Sequence, residues 1–356
     1  MPTGQPYEQL TVRGQLARLR RLAVNALQQW RLDDPRCSLV QHSENTTFRI
    51  RSRSPLYVHH AGEPYVPNQY LLRIHGTGRH HGATAAQRTI DSELLWLTAL
   101  RHEAGLPVPA PGASTDGRFP VVAPAKGIPQ PRVCSLLRWL PGRCHTGSPR
   151  PLYFDRLGAL MATLHSHAHS WTLPAGFTRF RWDWPAFFGD GVGFAGLGAA
   201  ATWALLPADL HDLVAAVGEQ AKVAMRQLGE SSDAWGLIHA DLHLDNVLFY
   251  REEARPIDFD DCGFGYWLYD MAVALWEQRM SPAYPLILSA FLAGYARRRP
   301  LPLEQLAYLD LFIAVREAAF GLWACAMAQQ HPTFRTYLGE ELTRMRTSIQ
   351  TLLPAR

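Results

Sequence analysis

The sequence predicts an α+β chain in two parts: a small β-rich N-terminal lobe with one key helix, and a larger, mainly α-helical C-terminal lobe. Two observations predict this fold class. Apolar residues change from helical spacing to short alternating runs and back before about residue 140, whereas helical spacing dominates from about residue 150 onward. A length of 356 residues also exceeds the usual size of one domain. We therefore expect lobes at residues 1–138 and 139–356.

The N-terminal lobe is expected to hold two helices and five strands. Apolar residues at steps of three and four indicate a helix over 11–31 and a second one over 84–102, the latter followed by a proline-rich stretch that blocks its continuation. Short runs rich in β-branched and aromatic residues predict the strands. These runs form a hairpin over 38–51 and single strands over 69–75, 119–123 and 133–139.

The C-terminal lobe is interrupted by one segment that is not helical. Residues 238–259 have strand-like and loop-like character, with a probable hairpin that turns at 251–255. Helical spacing predicts the rest of the lobe. The helices are expected at 151–169, 207–229, 266–280, 283–298, 303–329 and 335–352.

The composition of charged residues limits the partners. The chain has 35 lysines and arginines, of which only Lys126 and Lys222 are lysines, so an anion-binding side chain will almost always be arginine. The net charge of +4 is small for this length, and no run of more than three like charges occurs. A nucleic-acid groove and a polybasic membrane patch are therefore not expected.

The five cysteines are scattered and lack a CxxC spacing, as in a reduced intracellular protein without disulfides or structural zinc. The N-terminus lacks the charged and apolar regions of a signal peptide. No uncharged apolar run approaches the length of a membrane span. These features predict a soluble cytoplasmic protein.

The sharpest motif lies in the non-helical segment of the C-terminal lobe, where residues 239–246 read HADLHLDN and residues 257–261 read IDFDD. Phosphoryl transfer needs a carboxylate to orient the attacking hydroxyl and oxygen ligands for Mg²⁺. Asp241, Asn246 and Asp258, the last brought alongside by the hairpin, would supply those groups. The spacing matches the kinase catalytic loop, in which asparagine follows aspartate by five residues.

With these motifs the sequence resembles the aminoglycoside phosphotransferase group of kinase-fold enzymes, which also contains choline, homoserine and fructosamine kinases. Weaker matches extend the resemblance over about residues 38–275 in the expected order. The resemblance implies a two-lobed protein-kinase-like fold with ATP and Mg²⁺ as cofactors. It implies that Asp241 is the catalytic base and that Asn246 and Asp258 are metal ligands. It also implies supporting roles for His239, Asp260 and Asp270.

Two positions depart from the kinase pattern. The N-terminal lobe has no G-x-G-x-x-G, so the turn that covers the phosphates would be the one at 41–45, with Ser43 and Asn45. Where kinases have a strand lysine, this chain has Arg73, with Glu93 as the expected partner. Arginine can bind phosphate with its planar fork, but a solvent-exposed Arg73 and an ordinary surface Glu93 remain the alternative.

The sequence thus predicts an ATP- and Mg²⁺-dependent enzyme that transfers the γ-phosphoryl group to a hydroxyl of a small metabolite, such as an amino alcohol or a sugar. Three alternatives stay open: a stress-response Ser/Thr protein kinase, an aminoglycoside phosphotransferase, and a nucleotide-binding pseudokinase without catalysis. Trp182, Asp183 and Trp184 are candidates for the acceptor pocket, whereas His165, His167 and His169 are not expected to bind a metal.

Overall fold

The structure, a computed structural model, describes residues 6–57, 62–77, 83–191, 197–330 and 332–353. The chain forms two compact units, Met1–Pro141 and Gly142–Arg356, whose boundary lies three residues beyond the predicted one. The first unit is built on an antiparallel sheet and the second is mainly helical. The predicted α+β class is confirmed.

Unit 1 contains a five-stranded antiparallel sheet with strand order β1-β2-β3-β5-β4. Helix α1 begins after Thr11, whose side-chain oxygen accepts a hydrogen bond from the Gly14 amide and so satisfies one open donor of the first turn. The elements are α1 (Val12–Leu27), β1 (Arg36–His42), β2 (Thr46–Arg51), β3 (Gln69–Ile74), α2 (Ala83–His102), β4 (Pro120–Ala123) and β5 (Arg132–Arg138).

The core of unit 1 lies between the sheet and helix α1. Phe48 and Ile50 of β2 and Leu72 and Ile74 of β3 are buried there together with the apolar face of α1. Because side chains alternate between the two faces of a strand, Arg73 projects from the opposite face of the sheet. The same alternation that builds the core therefore directs a cation away from it.

Unit 2 contains most of the helices of the chain. Helices α3 and α8 pack closely, and glycines at their contact let the two backbones approach. The helices are α3 (Pro151–Ser170), α4 (Trp184–Phe188), α5 (Ala199–Trp203), α6 (Ala208–Leu228), α7 (Trp267–Leu275), α8 (Tyr284–Ala296), α9 (Leu309–Gln330) and α10 (Pro332–Leu352). The predicted helices at 266–280 and 303–329 are shorter than expected, because one ends and the other begins in a 3₁₀ turn.

Two small sheets frame the non-helical segment of unit 2. One is the predicted hairpin, of β8 (Val247–Tyr250) and β9 (Glu253–Pro256), but its turn is shorter than the predicted 251–255, since Glu253 already pairs with Tyr250. The other has the order β6-β10-β7, with β6 (Phe180–Trp182), β7 (Trp235–Ile238) and β10 (Gly263–Tyr266). The sequence analysis missed β6 and β10, since each has three or four residues without a clear alternation and is extended only because its partners are present.

Among the described residues, only the helix that contains α9 is long and apolar enough to cross a membrane. The segment Gln305–Gln329 is long and apolar enough to cross a bilayer, but 83% of its most apolar window is buried inside the protein. It packs against α6, α7 and α10. This is the pattern of a central helix in a protein core. Two of its charged residues, the buried Glu317 and the mostly buried Arg316, are paired with other side chains.

The contact between α3 and α8 yields a stability test. A Cβ atom on Gly294 would overlap the backbone carbonyl of Asp155, whereas one on Gly339, in α10, would meet no atom. We expect Gly294→Ala to lower the free energy of unfolding by about 1–3 kcal/mol through overpacking. Gly339→Ala should raise it by up to about 1 kcal/mol, as expected for an exposed helical glycine. Urea unfolding measures both, and equal effects would contradict this account of the contact.

Candidate active site

Residues 239–246 of unit 2, which carry the HADLHLDN motif, are called the catalytic segment after their predicted role. This segment is held by one buried carboxylate. Asp270, in α7, accepts hydrogen bonds from the backbone amides of His239 (3.1 Å) and Ala240 (2.8 Å). Ala240 has a φ of +65°, a left-handed conformation that is unfavourable for a residue with a side chain. Two successive amides directed at one carboxylate offset that cost. The segment turns sharply at the end of β7, and Asp241 follows the turn.

Asp270 is in turn fixed by a histidine that the sequence analysis did not select. His165, in α3, lies 3.0 Å from Asp270 through Nε2 and 2.9 Å from the Tyr295 hydroxyl through Nδ1. Burial lowers the pKa of His165 despite the neighbouring carboxylate, so the imidazole is neutral at physiological pH. No sequence signal marks this contact, because 105 residues separate the two partners. Asp270, for which the sequence predicts a supporting role, is therefore itself held in place by His165.

The carboxylate of Asp241 is held at both oxygens. The Arg316 guanidinium donates to Oδ1 at 2.5 Å, and the Asn246 amide donates to Oδ2 at 2.8 Å and to the Asp241 carbonyl at 2.9 Å. Burial would raise the pKa of Asp241, but Arg316 and the nearby His243 outweigh it, so the pKa lies well below the usual range of a carboxyl. Asp241 is therefore a stable anion. Arg316 is a second residue that sequence reasoning missed.

His243 lies between two carboxylates. Its ring nitrogens are 3.7 Å from an Asp241 oxygen and 3.4 Å from a Glu277 oxygen. Burial lowers the pKa of His243, but the two carboxylates more than compensate and raise it to about 10. His243 is thus an imidazolium at neutral pH. A ring nitrogen of His243 also lies within 4.8 Å of carboxylate oxygens of Asp245 and Glu277, and a metal bound there would have to displace the proton of the imidazolium.

The hairpin of β8 and β9 brings Asp258 near the catalytic segment through backbone contacts. The Ile257 amide donates to the Asn246 carbonyl at 2.9 Å, and His239 Nε2 lies 3.0 Å from the Ile257 carbonyl. His239 therefore organises the loop through the backbone, the position predicted for it. Asp258 itself has a φ of +61° and a ψ of +67°. Left-handed non-glycine residues of this kind concentrate at functional sites.

The turn after Asp258 is stabilised from strand β6 and the residue before it. The Arg179 guanidinium donates to the carbonyls of Cys262 and Asp260, and the Trp182 indole donates to the Asp261 carbonyl at 2.8 Å. Trp182, a sequence candidate for the acceptor pocket, is thus engaged in supporting this turn. Asp260 takes part in this turn through its backbone carbonyl, which accepts the hydrogen bond from Arg179.

The oxygen atoms of Asn246 and Asp258 are suited to a hard divalent cation. The side-chain nitrogen of Asn246 donates hydrogen bonds to Asp241. Oδ1 of the same amide is therefore not the atom that binds Asp241, and it can serve as a metal ligand. The Asp258 side chain is exposed and carries a carboxylate. Oxygen-only ligands with room for water are what Mg²⁺ prefers in proteins. These two residues fit the predicted metal.

In unit 1 the structure brings together Arg73 and Glu93. The Arg73 guanidinium donates to the Glu93 carboxylate at 2.7 Å, and the two residues are 4% and 0% exposed. The alternative of a solvent-exposed Arg73 and a surface Glu93 is therefore wrong. Beside them, His75 contacts the Ser135 hydroxyl at 2.9 Å. A buried ion pair costs desolvation, so its presence here indicates a geometric requirement.

The turn at 41–45 is tight and pinned to the end of β3. The Asn45 side chain accepts a hydrogen bond from the Gly76 amide at 3.0 Å, and the Ser43 amide donates to the Asn45 carbonyl at 3.0 Å. A Cβ on Gly76 would overlap the Glu44 carbonyl, so glycine is required there. The side chain of Asn45 thus shapes the turn, and the predicted contact of Ser43 and Asn45 with phosphate remains a prediction.

Comparison with known proteins identifies the family. The sequence profile described as "Phosphotransferase enzyme family" matches residues 45–304. This chain belongs to that family. An uncharacterised protein of Deinococcus radiodurans is 30% identical over 84% of this chain and 80% of its own length. The homoserine kinase of Neisseria meningitidis serogroup B is 28% identical over 64% of this chain and 68% of its own.

Among solved structures, a microcompartment-associated aminopropanol kinase is similar, with a TM-score of 0.74 and 27% identity, covering 93% of this chain and 96% of its own. The family and the fold that the motifs predicted are therefore confirmed, and the chain is a phosphotransferase enzyme. A role as a pseudokinase without catalysis is accordingly not favoured.

The buried histidines of this site predict a pH dependence of stability. Burial lowers the pKa of both His165 and His239 below the ordinary value of 6.5. In the unfolded chain both would bind protons below about pH 6.5, whereas the folded protein resists protonation there. The contribution of these two histidines to stability is then complete above that pH and falls as the pH drops, by up to about 1.4 kcal/mol per pH unit for each histidine.

Urea unfolding between about pH 7 and pH 5 measures this slope. His165→Gln should reduce it, because the variant has one fewer proton to bind on unfolding. His102→Gln, at an exposed position of α2, is the matched control and should leave it unchanged. A His165→Gln slope equal to that of the wild type would contradict the assignment of a neutral buried imidazole.

Proposed function

We propose that the enzyme transfers the γ-phosphoryl group of ATP to a hydroxyl of a small amino alcohol, with Mg²⁺ as the required cation. The observation that carries the proposal is the Asp241 carboxylate, which is charged, partly exposed and fixed at both oxygens beside Asn246. A group of this kind is what phosphoryl transfer requires, since little covalent chemistry is left to the protein beyond positioning and electrostatics.

In the proposed reaction, Asp241 accepts a hydrogen bond from the acceptor hydroxyl and directs its oxygen at the γ-phosphorus. The new bond forms from that oxygen to phosphorus, the bond to the bridging oxygen breaks, and ADP departs with the electron pair. Because the pKa of Asp241 is strongly lowered, the proton passes to it only late, after the attacking oxygen has become acidic. Mg²⁺ held by Asn246 and Asp258 would neutralise phosphate charge.

For nucleotide binding we propose Arg73, oriented by Glu93, as the residue that contacts the phosphates. Its guanidinium stays charged at any relevant pH, and its planar fork suits a phosphate oxygen pair. The buried ion pair supports this proposal, because it fixes the head group of Arg73 before any ligand arrives. The amides of the turn at 41–45, with Ser43, would supply further donors.

The choice of an amino alcohol rests on the relatives. The aminopropanol kinase and the homoserine kinase act, by their names, on small molecules that carry both a hydroxyl and an amine. These observations favour a metabolite over a protein hydroxyl or a polycationic antibiotic.

We also propose that the enzyme works in the cytoplasm. Its five cysteines are all unpaired, including the exposed Cys144. Free thiols of this number are typical of proteins kept in a reducing compartment.

The role of Asp241 can be tested by substitution. Turnover is measured with ATP, Mg²⁺ and each of four acceptors: 1-amino-2-propanol, ethanolamine, choline and homoserine. Asp241→Asn should lower turnover with the preferred acceptor about 100-fold or more, because the amide cannot accept the proton. ATP with Mg²⁺ should still raise the melting temperature of the variant, since a ligand of the native state stabilises it.

Asp212→Asn, at an exposed position of α6, is the matched control and should retain full turnover. Undiminished turnover by Asp241→Asn would refute the assignment of Asp241. The absence of a metal-dependent thermal shift in the wild type would refute the nucleotide site.

The role of Arg73 needs variants that avoid an unpaired buried charge. The double variant Arg73→Gln/Glu93→Gln removes both charges together, whereas Arg73→Lys keeps the cation. We expect the double variant to bind ATP about tenfold more weakly or worse, because it loses a charge-assisted contact with phosphate. Arg73→Lys should bind ATP with an affinity between that of the wild type and that of the double variant. Calorimetry measures the affinities, and Arg51→Gln, at an exposed position of β2, is the control. An affinity of the double variant equal to that of Arg51→Gln would exclude Arg73 from the nucleotide site.

A further inference from the structure

Arg316 occupies an unusual position for a cation. It lies in α9, the apolar core helix of unit 2, and its side chain is only 11% exposed. An arginine in such surroundings loses its hydration, a cost that is recovered only through a well-placed partner. That partner is Asp241, at 2.5 Å, in a segment 75 residues earlier in the chain. The buried charge is therefore directed at the residue that carries the proposed chemistry.

The guanidinium is itself held in place by aromatic rings. It lies over Trp276 at 5.2 Å and near Phe320 at 5.9 Å. Trp276 is also contacted by Arg344 of α10, at 4.4 Å. Arg344 pairs with Glu317, the residue next to Arg316, at 2.8 Å. The stacking on Trp276 and Phe320 restricts the rotamers of Arg316 before any substrate binds, whereas Arg344 has no direct contact with Arg316 among the described interactions.

Arg316 and Asn246 hold different atoms of the Asp241 carboxylate. Asn246 donates to Oδ2 from within the same loop, and Arg316 donates to Oδ1 from a separate helix. One hydrogen bond to one oxygen leaves the carboxylate free to rotate about its bond to Cβ. Two bonds to two oxygens fix the plane of the group. Because phosphoryl transfer depends on an in-line approach, the orientation of that plane decides where the acceptor hydroxyl is held.

We propose that Arg316 is a positioning residue for the phosphoryl-transfer step, one that sets the orientation of the Asp241 carboxylate from helix α9. The inference rests on the proposed role of Asp241 and adds a residue outside the catalytic segment. Arg316 acts through Asp241 and does not touch nucleotide. It therefore affects turnover and leaves the affinity for ATP unchanged.

The test compares Arg316 with Arg344, which stacks on the same Trp276 but pairs with Glu317 and Glu341 and not with Asp241. The variants Arg316→Met, Arg316→Lys and Arg344→Met are assayed for kcat and for the KM of ATP. The assay uses ATP, Mg²⁺ and whichever of the four acceptors named above the wild type prefers. Circular dichroism and thermal melting verify that each variant is folded.

We expect Arg316→Met to lower kcat about 100-fold, the order of loss for a misplaced reacting group, with the KM of ATP within about threefold of the wild type. Arg316→Lys should recover part of kcat, because the ammonium can still reach one carboxylate oxygen. Arg344→Met should keep kcat within about threefold of the wild type, since its charge is not used by Asp241.

Two results would overturn the inference alone: a wild-type kcat in Arg316→Met, or an equal loss in Arg344→Met, which would indicate general damage to the helices. If Arg316→Met does not fold, Arg316→Lys decides: only part of kcat is expected there, and a kcat equal to that of the wild type overturns the inference. Absence of turnover by the wild type with all four acceptors would instead overturn the proposed function, and this inference with it.

Discussion

The catalytic segment of unit 2 depends on the carboxylate of Asp270. By accepting the amides of His239 and Ala240, it stabilises a left-handed backbone turn that an alanine would not adopt by itself. His165 in α3 contacts the same oxygen of that carboxylate as the His239 amide, so two helices and the end of a strand meet at one buried group. The direction in which Asp241 leaves the turn follows from that arrangement, and so do the contacts of its side chain.

The electrostatics around Asp241 indicate how a carboxylate can serve as a base while it is strongly stabilised as an anion. Arg316 and the imidazolium of His243 keep its pKa far below that of the acceptor hydroxyl. Removal of the hydroxyl proton before phosphoryl transfer is then unfavourable. In the reaction that we propose, the carboxylate instead orients the nucleophile and receives its proton once bonding to phosphorus has made that proton acidic. In this proposal, positioning of the hydroxyl contributes more to catalysis than removal of its proton does. The hydrogen bonds that Arg316 and Asn246 donate to the Asp241 carboxylate are consistent with that.

The composition of the chain bears on the residues that we propose for nucleotide binding. With two lysines in the whole sequence, the strand position of a kinase lysine is taken by Arg73, and its partner Glu93 is fully buried. A guanidinium keeps its charge in such a site, where the pKa of an ammonium would fall on desolvation. The substitution therefore preserves a cation at this position in a protein that has nearly eliminated lysine.

The sequence by itself predicted the fold class, most of the helices and strands, and the family, and it proposed Asp241, Asn246 and Asp258 as site residues, because these depend on local periodicity and on a short motif whose spacing reflects the chemistry. Only the tertiary structure decided which distant side chains support them. Arg316 and His165 are ordinary helical residues in the sequence, and they acquire their contacts only when α9 and α3 pack beside the catalytic segment. Long-range pairing of this kind leaves no periodic trace, since it depends on how helices pack and not on the spacing of residues within any one of them.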